Sequence, residues 1–429
     1  MTRMFRHPKG FGLVAISLAL IAALLLGSVV PAKAELEEER VVKIGIPITL
    51  TGAVGMIGWA GLGFIDHMAY TNEQGAINGV RIDCIWQDVG RAPIVQGISA
   101  HKRFVAAGEM LEFNYLLDTI EVIAPRLPEE ETPILGFCPL SSLTLTKPIP
   151  WVFSSFPSGE DFGPIPSAWF VCNWAEERPA RIGMIMYDQS PAWHALEGIK
   201  KLIEDYGANK AEFVGYEVVP LLGVLDTSVE WLRLAYQKPD FIFCAACGST
   251  LNTLVKDCAR LEILKKGIMV CDSGECIEDT VAAVGEAADG WHTMKAYRSA
   301  LEDVDAADMP GLELLRKCAM KYRRLDEAGL RRYPIYRAGW MCGMIAAEAI
   351  RLAVEKVGVE NLSGQAIRDG LASIEDLDMG GFMPPVTMSD SKPYYFDSAF
   401  IYRIQGGKLF LIEAGVPIPN TWFLAFSEE

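Results

Sequence analysis

Small polar residues follow three of the apolar runs in the first third of the chain. They are Thr49, Thr51 and Gly52 after the first run, Asp118 and Thr119 after "NYLL", and Ser141 and Ser142 after "ILGFCPL". Helix starts at such positions offer unpaired N–H groups and the positive end of a dipole, which suits a carboxylate ligand. A single loop of this kind is typical of helix capping. Three of them at the ends of neighbouring strands favour a pocket lining, in which we also include Ile57.

Two further segments, in the middle of the chain, have residues that could contact a ligand. Trp193 begins a helix beside a strand end, where its ring could close over a ligand or pack beneath the helix. The segment "CDSGEC" brings Asp272, Ser273 and Glu275 to another strand end. One of its carboxylates could pair with a ligand ammonium group. The alternative is a solvated acidic loop.

The common motifs of catalysis, nucleotide binding and metal binding are missing from the sequence. It contains no G-x-x-x-x-G-K-[ST], G-x-G-x-x-G or G-x-S-x-G segment, and its five histidines show no H-E-x-x-H or paired metal spacing. We therefore predict a protein that is not an enzyme and that has neither a cofactor nor a metal site. A Ser/His/Asp set is assembled in space rather than in sequence, so an exported enzyme stays open as an alternative.

The first 34 residues have the pattern of a secretory signal peptide. Three basic residues precede an apolar run from Phe11 to Val30, and Ala32 and Ala34 fit a small-residue cleavage site. We predict cleavage after Ala34 and a periplasmic location, with an uncleaved membrane anchor as the alternative. No later segment is long and apolar enough to span a bilayer, so we expect no stable membrane insertion after cleavage.

The chain is strongly acidic. Its 39 Lys and Arg residues and 55 Asp and Glu residues give a formal net charge of −16. The charge becomes −20 once the four basic residues of the signal segment are removed. Such a surface repels phosphate backbones and anionic lipids, and this argues against nucleic acid as a partner.

Ten cysteines are compatible with an oxidising compartment. Most lie inside apolar runs, where free cysteine is a common small core residue, so we expect one or two disulfides at most. Cys271 and Cys276, which flank a loop, are the pair that we expect to bridge. Cys244 and Cys247 have redox-motif spacing without the context of thioredoxin-like proteins.

Strand-like and helix-like segments alternate along most of the chain. The strand candidates are Val42–Ile46, Arg81–Trp86, Tyr115–Leu117, Ile134–Phe137, Ala180–Tyr187, Glu212–Val219, Phe241–Ala245, Gly267–Cys271 and Trp291–Ala296. This alternation predicts an α/β fold with doubly wound parallel sheets, in two units at about 41–150 and 180–297. Long helices at Met309–Arg323 and Ile335–Val357 then precede two alternating runs joined by "GG", which is a hairpin signal. Two such units side by side leave a crevice at the carboxyl ends of their strands, where ligands bind.

The sequence resembles the type I periplasmic solute-binding proteins of the leucine/isoleucine/valine-binding group. The resemblance begins with "VVKIGIPITLTGAVGMIGWAGLGFIDHMAYTNEQGAINGVRIDCIWQD", which is similar to the family's opening strand, [S/T]-G loop, helix and second strand. Further similar segments are "TPILGFCPLSS", "WVFSSFPSGEDFGPIPSAWF", "ARIGMIMYDQSPAWHALEG", "PDFIFCAACGSTLNTLVKDCARL" and "VAAVGEAADGWHTMKAYRS". The last segment is the most specific, and the whole resemblance runs in order over about residues 41–425.

This resemblance implies two parallel-sheet lobes joined by three crossing segments. Lobe 1 would comprise 41–152 plus 298–388, and lobe 2 would comprise 153–297 plus 389–429. The implied function is the capture of a small organic solute, an amino acid or a related compound, between the lobes. The solute would then pass to an inner-membrane ABC permease. A ligand-sensing module for a membrane receptor or kinase shares this fold and stays open as an alternative.

The resemblance also implies positions for the ligand site. In the family, a first-lobe Ser/Thr pair holds the ligand carboxylate, and a second-lobe Tyr and an acidic residue hold its ammonium group. The corresponding positions here are Asp118, Leu140 and Ser142 in lobe 1, and Trp193, Cys247 and Ser273, or Asp272 or Glu275, in lobe 2. Asp118 would repel a ligand carboxylate at short range, so we expect a ligand other than leucine.

Overall fold

The computed structural model describes residues 40–52, 55–146, 150–221, 223–274, 276–298, 309–394 and 398–418. Its first sheet has five strands in the order β2-β1-β3-β4-β5. They are β1 (Arg40–Ile48), β2 (Val80–Asp88), β3 (Leu111–Asn114), β4 (Ile134–Gly136) and β5 (Val152–Ser154). The pairs β1–β3, β3–β4 and β4–β5 are parallel, so these four strands end at the same edge of the sheet.

The second sheet has seven strands in the order β12-β11-β10-β9-β8-β6-β7. They are β6 (Ala180–Tyr187), β7 (Ala211–Val219), β8 (Phe241–Ala245), β9 (Met269–Asp272), β10 (His292–Lys295), β11 (Ser398–Gln405) and β12 (Lys408–Pro417). Strands β6 to β10 are parallel, whereas β11 is antiparallel to both β10 and β12. The predicted hairpin turn is confirmed: Gly406 and Gly407 have φ values of 58° and 66°, which favour glycine.

Helices cover both sheets. They are α1 (Gly58–Glu73), α2 (Pro93–Ala106), α3 (Leu117–Ile123), α4 (Leu127–Glu130), α5 (Ser142–Thr146), α6 (Gly159–Phe162), α7 (Pro164–Cys172), α8 (Ser190–Tyr206), α9 (Ser228–Tyr236), α10 (Gly248–Arg260), α11 (Ile277–Val284), α12 (Gly311–Arg323), α13 (Glu327–Arg332), α14 (Ile335–Val357) and α15 (Gly364–Leu371). The central strand β8 shows why both faces are covered, because all five of its residues are buried. Phe241 and Phe243 pack into one hydrophobic cluster, and Ile242 and Cys244 pack into a second cluster.

The chain passes between the two sheets three times. It leaves the first sheet after β5, returns after β10 to form α12 to α15, and enters the second sheet again at β11. Helix α14 packs against α1, and α15 packs near β3, so the returning helices belong with the first sheet. These passages agree with the predicted three crossing segments, while the residue boundaries of the two lobes stay predictions.

Helices α1 and α14 approach each other so closely that only glycine fits between them. A Cβ atom added to Gly339 would lie 1.7 Å from the carbonyl oxygen of Ala60, and one added to Gly63 would lie 2.0 Å from that of Tyr336. Because the obstructing atoms belong to the backbone, a side chain there forces the two helices apart.

We expect Gly339→Ala to lower the free energy of unfolding by about 3 kcal/mol, because it overpacks a helix contact. Urea unfolding measures this change. The matched control is Gly329→Ala in α13, where the added Cβ meets the movable Cδ2 of Leu325 at 2.9 Å, and where alanine also favours the helix. Equal stabilities of the two variants would contradict the close-contact explanation.

Two expectations from the sequence are wrong. The third strand is β3, not Tyr115–Leu117, because the Asn114 side chain accepts a hydrogen bond from the Leu116 N–H at 2.9 Å and α3 then begins at Leu117. All ten cysteines are free. Cys271 and Cys276 do not bridge, since they pack into different hydrophobic clusters.

None of the helices in the described ranges is long and apolar enough to cross a membrane. The predicted signal segment and cleavage site at 1–34 lie outside the described residues.

Candidate ligand-binding site

The carboxyl end of β1 leads into a loop that is held by one carboxylate. Oδ1 of Asp88 accepts hydrogen bonds from the N–H groups of Leu50 at 3.1 Å, Thr51 at 3.4 Å and Gly90 at 3.0 Å. Desolvation raises the pKa of Asp88, but these hydrogen bonds together with one from the Thr51 hydroxyl outweigh it, so the pKa is lower than usual. Thr51 is exposed at this edge, and Ile57 is half-buried next to α1.

A cleft of about 470 Å³ is lined from both sheets. Ile94, Asp118, Glu121 and Val122 come from α2 and α3 beside the first sheet, whereas Asp188, Gln189, Ser190 and Trp193 follow β6 of the second sheet. The cleft therefore brings together Asp118 and Trp193, two of the predicted site residues. Desolvation, together with the nearby Glu121, raises the pKa of Asp118.

Trp193 forms a wall of this cleft. Its side chain is about 38% exposed, its Nε1 donates to Asp188 Oδ1 at 2.9 Å, and its ring meets that of Tyr216 edge-on. Across the cleft, the Ser190 hydroxyl donates to Glu121 at 3.0 Å. The indole N–H is thus already used, and its ring is what a ligand would contact.

Thr119 and Leu140 are fully buried, which makes them packing residues in this structure. The Thr119 hydroxyl donates to the Pro93 carbonyl at 3.3 Å and so joins α3 to α2. Leu140 belongs to the large hydrophobic cluster.

Ser141 and Ser142 bind a carboxylate of the protein itself. The Ser142 N–H and hydroxyl donate to Glu160 at 3.0 and 3.1 Å, and the Ser141 hydroxyl lies 3.5 Å from the same carboxylate. Glu160 is buried in α6, which packs against α8 of the second sheet, and His194 lies 3.6 Å from it. The polar loop predicted to hold a ligand carboxylate therefore connects the two halves through Glu160, a residue that was not predicted from the sequence.

The predicted site residues that follow strands of the second sheet differ in burial. Ser273 is buried and its N–H donates to the Cys244 carbonyl at 3.2 Å, whereas Cys247 is half-buried just before α10. Asp272 is fully buried, and desolvation raises its pKa to about 7. Glu275 lies outside the described residues.

A buried charged cluster lies where the carboxyl ends of both sheets face each other. Lys295 at the end of β10 donates to Glu278 at 2.8 Å and to the Gly274 carbonyl at 3.0 Å. Arg337 of α14 donates to the other oxygen of Glu278 at 2.8 Å. The Lys295 side chain is about 1% exposed and that of Arg337 about 2%. Desolvation lowers the pKa of Lys295, but the charge and hydrogen bond of Glu278 together with Tyr297 outweigh it, so the pKa is raised. Tyr297 packs beside both cations.

Part of this cluster is unpartnered. Within the described ranges, Nε and Nη1 of Arg337 and the hydroxyl of Tyr297 have no hydrogen-bond partner. The Tyr297 ring centroid lies 6.2 Å from that of Phe137, which follows β4 of the first sheet. Buried donors without acceptors are costly, so this position suits an anionic group. The signal in the sequence is a single cation within each of two apolar segments, "WHTMKAY" and "IYRAGWMCGM".

No cleft residue discussed above belongs to a group with metal-ligand spacing. Within the described ranges, one such group occurs, and it lies at the opposite, amino-terminal edge of the first sheet.

Residues 41–408 match the family model described as "Periplasmic binding protein". Since this match spans most of the sequence, the chain belongs to the periplasmic binding protein family. Its fold is the type I fold with two α/β halves. None of the curated proteins that were compared with the chain matches it.

Solved structures share this fold. A branched chain amino acid ABC transporter protein from Thermus thermophilus with bound valine has a TM-score of 0.74 and 17% identity, covering 91% of this chain and 100% of that one. An ABC transporter protein from the Pseudomonas fluorescens group has a TM-score of 0.73 and 19% identity, covering 91% and 95%. A Rhodopseudomonas palustris solute binding protein in complex with 4-hydroxybenzoate has a TM-score of 0.68 and 17% identity, covering 89% and 98%.

Proposed function

We propose that the chain is an exported receptor that binds a small organic solute between its two halves and delivers it to an ABC importer. The observation that carries this proposal is the cleft at the carboxyl ends of the strands, which is lined by residues from both sheets. Ligands of open α/β sheets bind at such edges. A ligand that contacts both halves would favour the closed arrangement of the two.

We infer that one solute reaches from the cleft to the buried charged cluster, so that their charges together favour a solute with groups of both signs. Asp118, Glu121 and Asp188 give the cleft an acidic rim that suits an ammonium group. Arg337 and Lys295 give the buried cluster cations that suit a carboxylate. An amino acid or a related compound meets both requirements. Aromatic acids are the second ligand class, because two relatives with this fold were solved with 4-hydroxybenzoate and benzoate.

The same proposal gives the protein a place and a partner. After cleavage behind Ala34 the mature chain would work in the periplasm, with an inner-membrane ABC permease as its partner. We also propose that the solute leaves chemically unchanged, so that the chain has no catalytic residues.

A thermal-shift screen of the mature chain tests the ligand class. The compounds are L-amino acids including valine, carboxamides, putrescine and other polyamines, and the aromatic acids benzoate and 4-hydroxybenzoate. A compound at 100 times its dissociation constant stabilises the native state by about 2.7 kcal/mol, which gives a clear rise in the melting temperature. We expect an amino acid or a close relative to give the largest rise.

Two outcomes would contradict the proposal. If polyamines alone stabilise the chain, the buried cations do not contact the ligand, and the proposed ligand class is wrong. If mass spectrometry of the released solute shows an altered molecule, the chain is an enzyme on this scaffold.

An uptake experiment with vesicles that contain the permease distinguishes transport from sensing. Solute uptake that depends on this chain and on ATP supports transport.

A further inference from the structure

Four ionisable side chains meet at the amino-terminal edge of the first sheet, away from the cleft. His101 lies on α2, Glu109 in the loop before β3, Glu112 in β3 and Glu130 at the end of α4. The side chains of His101, Glu109 and Glu112 are fully buried. Their packing brings three carboxylates around one imidazole, an arrangement that the proposed solute receptor does not use.

Three of these side chains have the spacing of metal ligands. Nδ1 of His101 lies 2.7 Å from Glu112 Oε2 and 3.7 Å from Glu109 Oε1, and one ligand atom from each residue lies within 4.8 Å of the others. Bonds of about 2.0–2.1 Å to a tetrahedral Zn²⁺ place ligand atoms about 3.3 Å apart. The 2.7 and 3.7 Å distances from His101 Nδ1 each differ from this spacing by about half an ångström, and the two carboxylates lie within 4.8 Å of each other.

Glu109 is the second, independent observation that points to a cation site. Within the described residues its carboxylate oxygen Oε1 has no hydrogen-bond partner, although the side chain is fully buried. Oε2 lies against the backbone of Gly45, where an added Cβ would come within 1.9 Å of it. Because a buried carboxylate that lacks hydrogen bonds is costly, its position beside His101 and Glu112 calls for a cation or a proton.

The outer residues orient the ligands as they do in metal sites. Nε2 of His101 lies 2.8 Å from Glu130, whose other oxygen lies 3.0 Å from Arg126. The Asn114 side chain donates to Glu112 Oε1 at 2.6 Å, which leaves Oε2 for the ion. A histidine that donates its second N–H to a carboxylate, next to a ligating carboxylate that is itself hydrogen-bonded, is the usual surrounding of a bound metal.

We propose that His101 Nδ1, Glu109 and Glu112 bind one Zn²⁺ ion that joins α2, the following loop and β3. The two carboxylates balance the charge of the ion, and Arg126 balances Glu130. On binding, Nδ1 releases its proton to solvent and forms a bond to the ion, while a water molecule completes the tetrahedron. The sequence predicts no metal site, because the three ligands come from three elements and include one histidine only.

The experiment uses the mature chain without a histidine tag, freed of metal with EDTA and dialysed. ZnCl₂ is titrated by calorimetry, and bound zinc is counted by mass spectrometry. We expect one zinc per chain and a melting temperature that is several degrees higher with Zn²⁺ than with EDTA. Glu109→Gln should weaken binding more than 100-fold, and Glu130→Gln, which removes an outer partner, by 10- to 100-fold.

The control is Glu129→Gln, an exposed carboxylate on α4 that should leave zinc affinity unchanged. A wild-type chain that binds no zinc, or a Glu109→Gln variant that binds it equally well, would overturn the proposal. The first result would mean that a proton neutralises the cluster, and the second that zinc binds to exposed acidic residues instead. If Glu109→Gln does not fold, zinc-edge anomalous scattering from the wild type decides: a peak about 2 Å from His101 Nδ1 is expected, and a peak elsewhere or none refutes the site.

Discussion

Replacing Arg337 with methionine should weaken binding of the cognate solute at least 30-fold and lower the free energy of unfolding by about 3 kcal/mol. The first effect is expected because Nε and Nη1 are buried donors that have no acceptor within the described residues. The second is expected because Glu278 loses its buried ion pair with Arg337. Calorimetry with the solute from the thermal-shift screen and urea unfolding without solute measure the two effects separately.

Arg337→Lys separates charge from geometry at the same position. A lysine keeps the positive charge beside Glu278, so much of the stability should return, but it lacks the planar guanidinium that binds a carboxylate in two places. The control Arg351→Met changes a half-buried arginine on the same helix, which pairs with Glu348 and Glu355. If Arg337→Met binds the solute as tightly as the control variant does, Arg337 is not part of the binding site. The free energy of unfolding of Arg337→Met would still measure the loss of the ion pair with Glu278.

The architecture could be predicted from the sequence because its signals are local. The limits of Ala180–Tyr187, Phe241–Ala245 and Ile335–Val357 are confirmed to the residue, since each is an apolar segment bounded by turn or capping residues. The "GG" hairpin is confirmed for the same reason. The third strand was misplaced because Tyr115–Leu117 is as apolar as a strand, and the Asn114 hydrogen bond that ends β3 is a tertiary detail.

The site was harder to predict because its residues meet over long distances in the sequence. Asp118 and Trp193 were predicted and line one cleft, since each follows a strand whose end faces the other half. Glu160 and Arg337 were missed. Glu160 accepts hydrogen bonds from Ser142, and Arg337 pairs with Glu278, which lies 59 residues away in the sequence. Neither residue has a local sequence pattern that distinguishes it from a surface charge.

The pH dependence of stability provides a second large effect, centred on Asp161 between the two sheets. Its side chain accepts hydrogen bonds from Ser158 at 2.7 Å and from Tyr394 at 3.3 Å, and it is about 1% exposed. Desolvation raises its pKa from 3.8 to about 7. Between these values the native chain holds a proton on Asp161 that the unfolded chain has lost, so the contribution of Asp161 to the free energy of unfolding falls as the pH rises from about 4 to 7.

Asp161→Asn should remove this contribution. The variant should match the wild type near pH 4 and be more stable near pH 8, by at most about 4 kcal/mol, since a pKa difference of one unit corresponds to about 1.4 kcal/mol. Urea unfolding at intervals between pH 4 and pH 8.5 measures the difference. Asp272 and Asp279, whose pKa values burial also raises to about 7, affect both proteins equally and cancel. Asp83→Asn, at an exposed position on β2, is the control and should give a curve parallel to the wild type. If the Asp161→Asn curve is parallel as well, Asp161 is ionised in the native chain at neutral pH, and its hydrogen bonds outweigh its burial.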